Sequence, residues 1–314
     1  KMGKGWTADE IPDLDGKVAI VTGSNRGIGR EIAKRLGEHN ATTVMACRNT
    51  QKAEIAKQEL LKEIGEDKHL AVLTLDVSSL DSIRKFAKEF SSKYNRLDVL
   101  MENAGSLTFG PRQQSVDGIE LQLATNHVGQ FALAMLLMPI LTKTEGSRVV
   151  VQSSSASWMG KFDWDNLQGE KTYSTWNQYA MTRVANVAFA KELNNRIEAS
   201  GEKFPTAYPV HPGFVIKELE PGAAPGLLKK IGTVLVSPLA GTLETSARPA
   251  LYACTEPAAT PGVFYGPQGP VPFVSAMNGQ YPGENYSNRV ALDADERRKL
   301  WEVSEQLSNA QLRI

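Results

Sequence analysis

Cysteine is nearly missing from this chain: two residues, Cys47 and Cys254, among 314. Two thiols so far apart form no disulfide framework and match no metal-ligand spacing. A chain of this length can bury a core without staples, so both cysteines are read as small hydrophobes in a reducing compartment. Charge of one sign is missing too. Lys+Arg and Asp+Glu stand at 35 each, which removes any global electrostatic argument for nucleic acid or an anionic surface as partner. The four histidines, His39, His69, His127 and His211, fall in no metal pattern, and no metal site is expected. Long apolar runs are lacking. The richest, residues 131–141, falls short of the roughly 18 residues needed to span a bilayer. The opening KMGKGWTADEIPDLDG has no apolar signal core. These absences lead to the expectation of a cytoplasmic protein with no transmembrane segment and no nucleic-acid partner.

What is present is alternation. Short β-branched runs at 18–21, 42–46, 70–75, 97–101, 148–152, 207–210 and 263–265 read as strands. Between them, apolar residues recur at helical spacing over 28–36, 52–64, 80–90, 116–141, 178–197 and 239–253. In the second helix Ala53, Ala56, Leu60 and Ile64 form one stripe, and in the third Ile83, Phe86, Ala87 and Phe90 do. Strands alternating with helices predict a doubly wound α/β fold of Rossmann type, with a mostly parallel seven-stranded sheet and helices on both faces. One domain over 15–266 is expected, after an extension at 1–14. Residues 267–314 form an irregular arm rich in Pro and Gly that ends in a helix at 294–307. Asp293 is its N-cap, with Glu296 in capping-box position, and Leu300, Val303 and Leu307 are its apolar stripe. The arm is read mainly as a clamp on the domain edge, with a pocket wall or a subunit contact as alternatives.

The first segment that carries chemistry is Thr22-Gly23-Ser24-Asn25-Arg26-Gly27-Ile28-Gly29. It follows a strand and opens a helix, the context a phosphate-binding loop requires. Gly23 permits the tight turn, Gly27 lets backbone approach a pyrophosphate, and Gly29 lets helix and strand pack closely. The helix N-terminus adds free N–H groups and a positive dipole end. The second strand ends in Arg48-Asn49 rather than in the acid that would hold an unmodified ribose. Arg26 and Arg48 offer guanidinium forks suited to a 2′-phosphate, so NADP(H) is expected and NAD(H) is the weaker alternative.

Further motifs follow in order: Leu75-Asp76-Val77, Glu102-Asn103-Ala104-Gly105, Asn126 in Thr125-Asn126-His127-Val128-Gly129, Ser153-Ser154-Ser155, Tyr179-Ala180-Met181-Thr182-Arg183 and His211-Pro212-Gly213. In this order the chain resembles the short-chain dehydrogenase/reductase family over residues 15–266, and within it the retinol-dehydrogenase and WW-domain-oxidoreductase-like branch. The resemblance implies an oxidoreductase that interconverts a carbonyl and an alcohol on a bulky apolar small molecule. It implies that the glycine loop, including Ser24, Asn25, Arg26 and Ile28, holds the cofactor together with Arg48 and Asn49. Asp76 and Val77 would take the adenine, and Asn103, Ala104 and Gly105 the ribose side. Pro212, Gly213 and Val215 would shape the nicotinamide side, joined by Tyr179 and Arg183. Asn126, Ser154, Tyr179 and Arg183 are the implied catalytic set: Asn126 holds a water, Ser154 orients the carbonyl, and Tyr179 transfers the proton. A phenol, with an ordinary pKa of about 10, needs a cation beside it to work near neutrality, and a residue four along lies on the same helical face. Pairing of the two long helices across subunits, common in the family, implies a dimer or tetramer.

Three positions depart from the family. Arg183 stands where lysine is usual, Lys217 where threonine is usual, and Glu102 where many relatives have asparagine. Guanidinium keeps the charge but has a different reach. Arg183 leaves open a working reductase, a protein that keeps its cofactor for an isomerisation or cyclisation, a weakly active sensing protein, and an engineered substitution. Trp158, Phe162, Trp164, Trp176, Phe214 and Leu219 are the expected substrate pocket, with Met159, Leu107, Phe109, Met277 and Tyr281 as lesser candidates. Residues 220–232, punctuated by Pro221, Gly222, Pro225 and Gly226, read as a lid.

Overall fold

The computed structural model describes residues 5–213, 241–268, 279 and 281–314. Its centre is a sheet of strands too apolar to face water on either side. β1 (Val18–Thr22) is buried throughout, and β2 (Thr42–Cys47), β4 (Val99–Glu102), β5 (Arg148–Gln152) and β6 (Thr206–Val210) nearly so. Such strands are covered by helices on both faces and pair in parallel. With β3 (Leu70–Thr74), β7 (Tyr265–Gln268) and β8 (Tyr281–Glu284), the order is β3-β2-β1-β4-β5-β6-β7-β8. Every pairing is parallel except β7 with β8. Among the described residues the sheet therefore has eight strands where seven are expected from sequence. The eighth comes from the arm, where Tyr-Pro-Gly-Glu does not read as a strand. Its Pro and Gly are tolerated because it lies at the sheet edge.

One face packs on α1 (Gly27–Glu38), α2 (Thr50–Ile64) and α7 (Leu243–Thr255), through Ile32, Leu36, Ala56, Leu60, Ala250 and Leu251. The other packs on α3 (Leu80–Lys93), α5 (Gly129–Leu141) and α6 (Thr175–Ser200), through Phe86, Phe90, Phe131, Phe189 and their neighbours. The N-terminal extension is anchored by Trp6, whose ring meets Tyr252 edge-on at 5.5 Å and whose Nε1 donates to Glu256 at 3.1 Å.

The expected helix at 116–141 begins later. Gly118, at φ 78°, closes a tight turn, Val116 is exposed, and the Glu120 carboxylate caps the first turn by accepting from Leu123 N at 2.7 Å. A short α4 (Leu121–Leu123) then runs through a π turn, Ala124–Val128, into α5. Counted across that turn, Leu121–Leu141 has 21 residues at mean hydropathy 1.3, long and apolar enough to cross a membrane. The expectation of no such run is corrected by this count. In the fold, 78% of its apolar window is buried inside the protein.

After a short α8 (Arg289–Leu292), the terminal helix α9 (Ala294–Ser308) is capped by Asp293, which accepts from Asp295 N and Glu296 N. Glu296 does not close the capping box. Its carboxylate instead accepts Trp164 Nε1 at 3.0 Å. The buried face of α9 also differs from the expected stripe. Leu300 is buried, but its companions are Trp301, Ser304 and Ser308 rather than Val303 and Leu307. Trp301 wedges edge-on against Phe131 at 4.9 Å.

Gly129 begins α5 where a Cβ would overlap the backbone carbonyl of Val77. Gly129→Ala must push α5 from the segment that follows β3, and overpacking of this kind costs about 1–3 kcal/mol. Urea melts of the two proteins should show a lower midpoint for the alanine variant; an unchanged midpoint contradicts this packing.

Candidate active site

β1, β4, β5 and β6 end at one edge of the sheet, and strand order reverses between β1 and β4. That reversal opens a crevice, the usual ligand position in a doubly wound sheet. The glycine turn fills one wall. Gly23 and Gly27 take φ of 67° and 61°, which side chains disfavour. Gly29 has no room for a Cβ against Asn103 and the Gly23 carbonyl. Asn103 Nδ2 donates to Thr22 O at 2.9 Å, and Ala104 N donates to Thr22 Oγ1 at 2.8 Å, locking the opposite wall to this loop. Ser24 is buried, donating to Val21 O and lying 3.6 Å from Cys47 Sγ. Arg26 occupies the N-cap position of α1, whose first turn holds no acid. These walls fit a dinucleotide: a glycine cradle under a helix N-terminus whose first turn carries no acid.

At the adenosine end, the Arg48 guanidinium is largely exposed and 3.9 Å from Asp76 Oδ2. Asp76 Oδ1 is engaged locally, accepting Ser78 N at 2.9 Å and Ser78 Oγ at 2.6 Å, so only Oδ2 faces outward partners. Asn49 caps α2 through its side-chain oxygen, accepting Lys52 N at 2.9 Å, and the Val77 side chain is buried in the core. Those two expected cofactor contacts therefore have structural duties already.

The catalytic candidates converge where α6 crosses the end of β5. Ser174 caps α6, and its next turn carries Tyr179, partly exposed, and buried Arg183. The Arg183 guanidinium lies over the Tyr179 ring, 4.7 Å from its centroid. Arg183 Nη1 donates to Gln152 O at 3.3 Å, Asn186 Nδ2 donates to the same oxygen at 2.8 Å, and Ser153 Oγ donates back to Arg183 O at 2.7 Å. Ser154 follows directly and opens the turn Ser155–Met159, accepting Ala156 N at 3.2 Å. Asn126, in the π turn, exchanges two hydrogen bonds with the Ser106 backbone at 2.7 and 2.9 Å and donates to Thr182 Oγ1 at 3.1 Å. π turns of this kind recur at functional sites. Gly105 packs so closely on the Arg183 guanidinium and Asn126 that a Cβ would displace both.

Gly213, at φ 79°, donates its N–H to Nδ1 of buried His211 at 3.2 Å, and burial lowers the His211 pKa to about 4. Phe214, Val215, Lys217, Leu219, Met277 and the expected lid at 220–232 lie outside the described residues. Of the remaining pocket candidates, Trp176 stands exposed 5.9 Å from the Tyr179 ring, while Phe109 and Met159 are exposed rims. Tyr281 has become part of β8. Trp158 is tied to the arm through Tyr286 O at 3.0 Å and stacks edge-on to His211. Phe162 and Trp164 pack on each other at 4.9 Å, with Lys299 over the indole. Trp158 and Trp164 thereby seat the arm, the first on Tyr286 O and the second against Glu296 and Lys299 of α9. Sequence reading missed Gln152, Asn186 and the π turn. Asn186 is a polar residue in an otherwise apolar buried stretch, and that was the available signal.

Residues 17–216 match the short chain dehydrogenase family. The chain belongs to that family. It is 42% identical to retinol dehydrogenase 11 of Mus musculus over 206 residues, 66% of this chain and 64% of that protein. The aligned part thus spans under two thirds of that relative. Dehydrogenase/reductase SDR family member 13 of Homo sapiens is 36% identical over 303 residues, covering 94% of this chain and 74% of the relative. Among solved structures, an uncharacterized protein from Mycobacterium paratuberculosis superposes with TM-score 0.79 at 32% identity, covering 99% of this chain and all of that one. A Shigella flexneri short chain dehydrogenase complexed with NADP shares the fold, with TM-score 0.62 at 20% identity over 81% of this chain and 98% of that chain.

Glu102 ends β4 beside the Asn103–Gly105 wall. It is fully buried, and neither carboxylate oxygen has a hydrogen-bond partner. Burial raises its pKa well above the ordinary 4.5. Above pH 4.5 the unfolded chain loses this proton while the folded chain keeps it, so stability falls as pH rises towards the folded value. Glu102→Gln removes that dependence. Its stability advantage over the parent should grow by at most about 1.4 kcal/mol per pH unit, starting near the ordinary value. Denaturant melts of both proteins at a series of pH values check this; parallel pH profiles refute it.

Proposed function

We propose that this short-chain dehydrogenase is an NADP(H)-dependent oxidoreductase that interconverts a carbonyl and an alcohol on a bulky apolar small molecule. The observation that carries the reading is the Arg183 guanidinium held over the Tyr179 ring. A bound nicotinamide supplies or accepts the hydride, which leaves the protein to handle a proton. Tyr179 is the proton donor in reduction and the acceptor in oxidation. The Arg183 guanidinium, buried and close, places a cation beside that proton transfer. Ser154 orients the substrate oxygen from the neighbouring turn, and Asn126 holds the water side of the proton path. Gly23, Gly27 and Gly29 seat the pyrophosphate at the α1 N-terminus. Arg48 turns to the 2′-phosphate, its contact to Asp76 being long and exposed enough to give up. The resemblance to retinol dehydrogenases supports the apolar substrate class, as does Trp176 beside Tyr179.

Tyr179→Phe removes one hydroxyl and should leave NADPH binding intact while turnover on a carbonyl panel drops roughly a hundredfold or more. Product and NADPH consumed should match mole for mole in the parent protein. Product without NADPH consumption would favour the isomerase reading, and full turnover by Tyr179→Phe would end the proton assignment.

NADPH should bind more tightly than NADH, and Arg48→Ala should weaken NADPH alone by on the order of 1.5–3 kcal/mol, the worth of a charge-assisted contact. Fluorescence titrations of both cofactors measure this. Equal affinities in the parent protein would remove the NADP(H) preference.

A further inference from the structure

His127 follows Asn126 in the π turn and is buried, its ring packed beside those of Phe131 and Phe189 at 6.5 and 6.2 Å. Both ring nitrogens have partners. Nδ1 lies 3.3 Å from Asn186 Oδ1, and Nε2 lies 2.8 Å from Ser304 Oγ on α9. Burial lowers the His127 pKa to about 4, so the ring is neutral near neutrality and carries one N–H. Asn186 commits its amide nitrogen to Gln152 O and therefore presents its oxygen to His127. That oxygen requires a donor, which places the ring proton on Nδ1 and leaves Nε2 an acceptor 2.8 Å from Ser304 Oγ, whose one hydroxyl proton also lies within reach of Leu300 O at 2.7 Å. From the ring onward the bonds run in one direction, His127 N–H to Asn186 and Asn186 N–H to Gln152 O, with Ser304 Oγ against the far ring nitrogen. Arg183 Nη1 shares that last oxygen. Bonds aligned head to tail in a dry interior reinforce one another.

We infer that His127, Asn186 and Ser304 are positioning residues that hold the Gln152 carbonyl, and through it Arg183, over Tyr179, so that docking of the C-terminal helix sets the proton chemistry of the phenol. The inference rests on the Tyr179–Arg183 pairing proposed above. Among the described residues Arg183 has little other support: Nε is buried with no hydrogen-bond partner there, and the bond to Gln152 O is long at 3.3 Å. The same carbonyl also fixes the start of the Ser153–Ser154 segment, so a shift there moves two catalytic candidates together. The arm is thereby part of the working site as well as a clamp. Trp301, buried against Phe131 and Phe189 and covered by Arg196 at 4.5 Å, supplies the docking, and Ser304 supplies the connection.

The test needs no known substrate. The ultraviolet titration of the Tyr179 phenol is isolated by subtracting the matching Tyr179→Phe protein, for the parent chain and for Ser304→Ala, Ser304→Thr and Asn186→Leu. Ser304→Ala and Asn186→Leu should raise the phenol pKa by about one unit, a tenfold loss of phenolate at a given pH. Ser304→Thr, which keeps the hydroxyl, should titrate like the parent. A merely structural role would lower the melting temperature and leave the phenol where it was, and that result overturns the inference. Should Asn186→Leu fail to fold, Ser304→Ala decides alone. If Tyr179→Phe turns substrate over at the parent rate, the proposed mechanism falls, while the titration still reports whether α9 governs the Tyr179–Arg183 pair.

Discussion

The backbone carbonyl of Gln152 is the point on which the candidate site depends. It stands at the end of β5, where Gln152 is the last residue paired with β6, and takes two donors from α6. A buried carbonyl without such donors is costly, so strand end and helix are held in one register. The return bond from Ser153 Oγ to Arg183 O closes the connection. Ser154, Tyr179 and Arg183 lie on two elements far apart in sequence, and this small set of bonds makes them one site.

The dinucleotide crevice follows from a different constraint, the reversal of strand order between β1 and β4. Helices leave the two strands on opposite faces, which opens space at their ends. The walls are then tied across that space by Asn103 and Thr22, and glycine is needed wherever backbone meets backbone, most tightly at Gly29. Arg183 suits this crowded corner because its flat guanidinium can stack on the Tyr179 ring while Gly105 leaves room above it.

Much of this was legible in the chain as written. The strand and helix periodicities, the glycine turn and the ordered motifs are local patterns, and local patterns express the periods of strand and helix directly. Other contacts are not written locally: Trp164, read as pocket, donates to Glu296 across 132 residues. Asn49, read as a cofactor residue, also caps α2 through Lys52 N. Apolar spacing over 116–141 reads as one helix, but the positive φ at Gly118 makes a turn there and the helix begins only at Leu121.

The sequence by itself determined the doubly wound sheet, through the alternation of strand and helix periods, and the residue types of the site, through the ordered motifs that carry the family resemblance. Tertiary structure alone decided which polar groups meet. The buried face of α9 carries Ser304 and Ser308 rather than the apolar stripe its periodicity suggests, because Trp301 is captured between Phe131 and Phe189 and so sets the helix rotation. That rotation brings Ser304 to His127 across 177 residues. No local pattern carries such a pairing, because it is selected by the shape of a core that exists only after every element has packed.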